Sequence, residues 1–348
     1  MKLGLSLFVA VVTFASAQDS PSLPDFTQLY PYEARQATVL HEFEAGTLVE
    51  SIAVSQAGSI YATVIHPQDI SKSFVWYQHQ DDSRGQLHLT GAGTLAFSGD
   101  GHLYVNAGAA FEALTPDQQR QMGIYRLHVE DGLANGNFEH GDFEHGGFEH
   151  IAVAPQGAAL NGITFDADNN LYAADSLGGK VWILKQGSNE LEVWLEHDLL
   201  APAGPAGFPG ANGLKFFEGS LYVSNSSTGN FVRIDLTADG QPDDITIHSS
   251  GVNTDDFAFD VDGNIYATTH PFNTVVQITQ DNDKVVLAAS SENVIGPTAA
   301  VFGVADASDQ LFVVTDGGLY EQMIGLRHYD ALTPALVQLD IGIEGLTR

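Results

Sequence analysis

The sequence predicts an all-β chain folded as a six-bladed β-propeller with four-stranded antiparallel blades. Three observations carry that prediction: a hairpin pattern recurs six times, its spacing matches one blade, and no cysteine is present to staple a smaller scaffold. The pattern is a short apolar run, a polar turn and a second apolar run, which usually contains Leu-Tyr or Ile-Tyr. Its copies are Glu50–Tyr61, Gly93–Tyr104, Asn161–Tyr172, Asn212–Tyr222 and Asp255–Tyr266, with a weaker sixth at Val301–Phe312. The starts at 50, 93, 161, 212, 255 and 301 give spacings of 43, 68, 51, 43 and 46. A blade of four strands needs roughly 40–50 residues, so the long second unit carries an insertion.

Each copy reads as a hairpin, because Asp-Gly, Asn-Asn and Glu-Gly suit turns that demand positive φ. Third strands are expected at Lys180–Leu184, Phe231–Asp235 and Thr274–Ile278, and fourth strands at Glu192–Leu195 and Val285–Ala288. Two apolar runs flank the repeats, Ala37–Phe43 before and Ala335–Ile341 after. The N-terminal run is expected to complete the blade that begins at Val301, closing the ring so that few strand edges stay open.

Residues 1–17 read as a secretory signal peptide. Lys2 supplies the positive start, Leu3–Phe14 the short apolar core and Ala15-Ser16-Ala17 the cleavage site. Residues 18–348 then form a single propeller domain, exported, with no membrane span. With 13 Lys plus Arg against 44 Asp plus Glu, the net charge is −31. Too few basic groups are present to neutralise phosphates, so neither nucleic acid nor an anionic membrane is an expected partner. Such a charge serves solubility first, and a monomer is expected.

The first residues of the six copies are Glu50, Gly93, Asn161, Asn212, Asp255 and Val301. In a propeller the first strand of each blade lines the axis, so one position repeated around the ring converges. Two carboxylates and two amides, Glu50, Asn161, Asn212 and Asp255, then suit a hard divalent cation, calcium above all. The absence of thiolate and imidazole from this position argues against structural zinc. A plainer reading of any single copy is a strand-entry turn, in which Asn and Asp are common.

A second ring is expected where the second strands end, at Asp175, Asn225 and His270, with His66 nearby; these are candidate substrate contacts. His270 could exchange a proton near neutral pH, although a surface histidine is the plainer account. Two further stretches stand out. Pro202–Gly210 reads as a rigid Pro/Gly connector or a wall of the channel mouth, and Asn137–His150 repeats Phe-Glu-His three times. The repeat is a biased surface loop on composition, with metal binding as the sharper alternative. No nucleophile elbow, His-Glu-x-x-His or P-loop is present.

These residues resemble the senescence-marker-protein, gluconolactonase and luciferin-regenerating-enzyme family, over roughly Glu44 to Gly318. The resemblance implies a six-bladed propeller with a divalent metal on its axis, held by Glu50, Asn212 and Asp255. Asn161 would contact metal-bound water or substrate, and Asp255 would serve as base in lactone hydrolysis. Ala159 stands where sugar-lactonase members carry Arg, and Asp256 stands where they carry Gly, so a sugar lactone is not the expected substrate. Asp255–Asp260, Thr269-His270-Pro271 and Gly296–Thr298 with Phe302-Gly303 resemble a fungal and bacterial branch with hetero-Diels–Alderase-like members. The expected function is therefore a secreted, metal-dependent hydrolase of lactones or related esters, with Asp255 and Asn161 catalytic. A pericyclase of secondary metabolism and a non-catalytic binding propeller are the alternatives.

Overall fold

The computed structural model describes residues 24–108, 116–127, 147–203, 208–329 and 333–346. The signal segment and the first two Phe-Glu-His units lie outside the described residues.

Strand β1 (Ala37–Glu42) comes first in the chain. The first full blade then holds β2 (Leu48–Val54), β3 (Ile60–Ile65), β4 (Phe74–Gln78) and β5 (Arg84–His88). The second holds β6 (Ala92–Phe97), β7 (Leu103–Ala107), β8 (Gly123–Leu127) and β9 (Phe148–Val153). The third is β10 (Leu160–Phe165), β11 (Leu171–Asp175), β12 (Lys180–Leu184) and β13 (Glu192–Glu196). The fourth is β14 (Ala211–Phe217), β15 (Ser220–Asn225), β16 (Asn230–Leu236) and β17 (Pro242–Ser250). The fifth is β18 (Phe257–Phe259), β19 (Ile265–Thr268), β20 (Val275–Ile278) and β21 (Lys284–Ala288). The sixth is β22 (Pro297–Phe302), β23 (Gln310–Thr315), β24 (Ala335–Asp340) and, as its outer strand, β1. The chain is thus a six-bladed propeller, closed where the sequence predicted. Ala37 lies opposite Leu339 and Glu42 opposite Ala335. Among the described residues no helix is long and apolar enough to cross a membrane.

The inner strands β2, β6, β10, β14, β18 and β22 touch in cyclic order. Apolar side chains of neighbouring blades meet face to face, as in the layer of Tyr266, Val275 and Leu287 from blade five with Phe302, Val313 and Val337 from blade six. The recurring tyrosine has a polar task as well. Tyr172 donates its hydroxyl to Asp166 and Tyr266 to Asp260, while each aspartate also accepts backbone N–H groups of its own turn. The Glu218-Gly219 turn shows why its residues were chosen: both sit at positive φ, 47° and 81°.

The register corrects one alignment. Phe302 pairs with Leu311 as Phe165 pairs with Leu171 and Phe259 with Ile265. Counting back four residues from each phenylalanine gives Asn161, Asp255 and Thr298. Val301 is therefore not the sixth member of the axial ring; Thr298 is. The 3-10 turn Ala305–Ala307 lengthens this hairpin and displaces the count.

The third Phe-Glu-His unit is strand, not loop. Phe148 is buried, Glu149 pairs with Arg126 at 2.6 Å, and His150 stacks on Tyr125 with ring centroids 4.4 Å apart. Both terminal tails fasten to blade five. Arg35 N–H donates to Leu287 O, and Val286 N–H to Pro31 O; Leu346 N–H donates to Phe259 O.

Candidate active site at one end of the channel

Glu50, Gly93, Asn161, Asn212 and Thr298 all fall in a register shift of their strands. A bulge lets one residue leave the ladder and re-aims its side chain, which is how a strand that packs its neighbours can also present a residue to the axis. The glycine of each Asn-Gly pair serves packing rather than a turn. A Cβ on Gly162 would stand 2.5 Å from Asn212 O, and one on Gly213 would stand 2.5 Å from Asp256 Oδ1. Gly213 N–H donates to Asp255 O at 2.9 Å, tying blade four to blade five.

The amides are oriented by serines. Ser176 donates its hydroxyl to Ala211 O at 3.0 Å and accepts from Asn161 Nδ2 at 3.2 Å. Ser226 donates to Thr254 O at 2.6 Å and accepts from Asn212 Nδ2 at 2.9 Å. Because each serine proton is committed to a carbonyl, the nitrogen end of each amide must face it, and the oxygen end is left for the site. Blade two differs. Gly93 has no side chain, and Asn106 fills its place: a Cβ there would lie 2.4 Å from Asn106 Oδ1. Asn106 Nδ2 donates to Thr94 Oγ1 and to Asn161 O, while its Oδ1 is buried without a hydrogen bond.

The remaining arc is ionisable. Asp255 Oδ1 accepts from Asn212 Nδ2 at 2.6 Å, and its Oδ2 lies 3.3 Å from His270 Nδ1. His270 Nε2 lies 3.1 Å from Oδ2 of Asp316, a carboxylate that also receives Gly318 N–H and Tyr320 N–H and is wholly buried. Burial alone would lower the imidazole's pKa, but Asp316 and Asp255 outweigh it and hold it well above its ordinary value. Burial, then the charge of Asp255, pushes Glu50 up to about 8, with His270 pulling the other way. Burial raises Asp255 too, against the opposing bonds from His270 and Asn212. Tyr320, on the short helix Leu319–Met323, sets its ring 4.9 Å from that of His270. Burial and the charges of Asp255, Asp316 and Glu50 raise its hydroxyl to about 12, so it stays protonated.

The structure therefore brings Asn212, Asp255 and His270 into direct contact and sets Glu50 within the field of Asp255. Asn161 adjoins Asn212 through Ser176 and the backbone around Gly162. Among the described residues no three His, Cys, Asp or Glu side chains gather as a metal-holding group; the candidate oxygens come from two acids and two amides.

The second ring is out of step by one residue. By strand pairing, the equivalents of His270 are Ser176, Ser226 and Asp316, not Asp175 and Asn225. Asp175 is spent on its own turn, accepting from Ala159, Leu177 and Gly178 N–H and from the Trp182 indole. Asn225 is likewise bound to Leu199 O, Ala201 O and Thr228 N–H. His66 is half-buried, with its ring 6.1 Å from Phe74. Residues 204–207 of the Pro/Gly stretch lie outside the described residues. Sequence reasoning missed Asn106, Ser176, Ser226, Asp316 and Tyr320. Asp316 alone left a trace, since Thr315-Asp316 aligns with Thr269-His270.

No protein-family model and no curated protein matches the chain. Among solved structures, a putative gluconolactonase superposes with a TM-score of 0.62 at 18% identity, covering 93% of this chain and 98% of that one. A luciferin-regenerating enzyme gives 0.62 at 14%, covering 90% and 98%. The calcium-binding protein regucalcin of Agrobacterium tumefaciens gives 0.58 at 16%, covering 92% and 98%. At such identities the likeness establishes architecture alone: this chain is a six-bladed propeller that superposes on those proteins.

Proposed function

We propose that this end of the channel is a hydrolytic site for lactones or related esters, served by a divalent cation, with calcium best suited to the donors. The observation that carries the reading is the pair of serine-oriented amides, Asn161 and Asn212, presenting oxygen beside Asp255 and Glu50. The donor set fits such an ion. Glu50 lies within the field of Asp255, and burial with that repulsion raises its carboxyl to about 8, a cost that a bound cation would relieve. Glu50, Asn161, Asn212 and Asp255 would be the ligands, and the orphaned Asn106 Oδ1 adds an oxygen on the same arc.

The bound ion would supply Lewis-acid polarisation of a carbonyl. The chain's own groups supply the rest. Asp255 has one oxygen fixed by Asn212 and the other by His270, so its orientation is set before substrate arrives. Its raised pKa moves it toward the range where a carboxylate takes a proton from water near neutral pH. His270, held charged by two carboxylates, offers positive potential to developing negative charge. Tyr320 covers the imidazole, and its hydroxyl stays protonated. The pericyclase reading wants aromatic walls; the described ring is acids, amides, hydroxyls and one imidazole, with Tyr320 the aromatic beside it. The gluconolactonases of similar fold, one from Xanthomonas campestris at 15% identity with a TM-score of 0.57, support the choice of chemistry. The reading takes the protein to be exported and monomeric, on its N-terminal segment and its charge.

The test is metal analysis of purified protein, then a lactone and ester panel with and without chelator. We expect chelation to abolish hydrolysis and lower the melting temperature, since an ion at a hundredfold excess over Kd stabilises by about 2.7 kcal/mol. Asp255→Asn should remove activity and the chelator's effect together. Hydrolysis indifferent to chelator, or stability lost with no ester ever cleaved, would overturn the reading.

A further inference from the structure

The opposite half of the channel contains a separate cavity of about 1040 Å³. Its wall includes the third residue after each axial position: Ala53, Ala96, Thr164, Lys215, Ala258 and Val301. Five are small and uncharged, which keeps the bore open. The sixth is a lysine. Lys215 Nζ lies 2.6 Å from Asp256 Oδ1 and 5.7 Å from the centre of the Phe257 ring. Gly213 makes room for this pair, since a Cβ there would strike Asp256 Oδ1. The pair lies next to the axial ring, because Asp256 follows Asp255 and its charge reaches Glu50. It therefore lies between the axial ring and the cavity.

We propose that this cavity is a second small-molecule site, for an uncharged, apolar-bodied ligand carrying a carbonyl oxygen. The volume matches ligand pockets, which run to roughly 1,000 Å³ with apolar walls and few polar anchors. Among the described residues Lys215 is the one ammonium in the wall and the anchor at the level of the small residues; Asp81 and Asp100, on the hairpin turns, also line the cavity and disfavour an anion. An ammonium has three N–H donors, and Asp256 takes one. The ligand's charge follows from the same pair. An anion meets a lysine already neutralised by Asp256, within a chain of net charge −31. A cation finds no acceptor at the ammonium, whose N–H groups only donate. A neutral acceptor meets neither penalty and gains a charge-assisted hydrogen bond, about twice as strong as a neutral one. The site stands whether or not the other end hydrolyses esters.

The probe is a neutral naphthyl ketone dye, propionyl-dimethylaminonaphthalene, compared with anionic anilinonaphthalene sulfonate. The ketone should bind one-to-one with blue-shifted emission and more tightly than the sulfonate. Ala96→Trp and, separately, Ala258→Phe fill the bore and should each abolish binding; circular dichroism shows that each variant is folded. Lys215→Met should weaken binding about tenfold, the usual loss for a hydrogen bond to a charged group. Lys215→Met combined with Asp256→Asn should do the same while leaving no unpaired acid. Asp255→Asn, at the other end, should leave dye affinity unchanged, which separates this site from the hydrolytic one. Binding that survives both filling variants, is indifferent to Lys215, favours the sulfonate or is lost in Asp255→Asn overturns the proposal.

Discussion

Blades three and four present to the axis a neutral arc, whereas blades five, six and one present an ionisable one, although the backbone positions are equivalent. In the neutral arc each amide is fixed by a serine that is itself fixed by a carbonyl of the next blade. In the ionisable arc the serine's place is taken by His270 in blade five and Asp316 in blade six, and the partners are titratable groups. Repetition of the scaffold supplies convergence; departure from it at two positions supplies chemistry. Orientation on the neutral side is a matter of hydrogen-bond valence. On the ionisable side it is a matter of charge balance, which pH and cations can disturb.

The largest effect should come from breaking that balance. Asp316→Ala strips His270 of a partner and orphans the N–H groups of Gly318 and Tyr320 at the start of the short helix. Removing one member of a buried ion pair costs about 3–5 kcal/mol, to be read from denaturant midpoints. Next comes pH. Glu50 binds a proton more tightly in the folded chain than in the unfolded one, so its contribution is fully present below pH 4.5 and is lost as pH rises to about 8. His270 has the same sign, its raised pKa favouring the folded state below 6.5 and losing that advantage above its folded value. Metal-free protein should therefore lose stability on the order of a few kcal/mol between pH 4.5 and 8. Glu50→Gln should flatten that slope, and saturating calcium should do likewise in the wild type. A slope unchanged by either would remove Glu50 from the account.

On the neutral side, Ser226→Ala should cost about 1–3 kcal/mol through the lost bonds to Asn212 and Thr254. Its stability change should be nearly independent of pH, unlike that of Asp316→Ala; equal pH dependence would erase the distinction between the arcs. The smallest effect belongs outside both. Lys185 and Glu192 pair at 2.7 Å but are more than half exposed, so Lys185→Ala should change stability by less than about 1 kcal/mol.

The sequence made the repeat legible because each hairpin couples an apolar inner strand to a turn of fixed length. Where the length changed, the reading slipped: the turn at Ala305–Ala307 moved the sixth axial position from Val301 to Thr298. Glu50, Asn161, Asn212 and Asp255 were legible because acids and amides at one repeat position are chemically conspicuous. Ser176 and Ser226 were not, since a serine declares its role only through its neighbours. Asp175 and Asn225 drew attention as polar residues at strand ends, yet one residue of register turned them into turn clamps. Lys215 passed unnoticed because its meaning lies in what the other five blades put at its level.

The fastening of both tails has a mechanical consequence. The start of β1 lies beside the end of β24, so tension applied between the chain's ends would peel these strands apart pair by pair, the weakest loading geometry a sheet offers. The tails intervene. Pro31 and Arg35 are bonded to β21, the outer strand of blade five, and Leu346 to β18, its inner strand. Pulled from its termini, the ring would load blade five before the closing seam, and the first rupture should come from those few anchoring bonds.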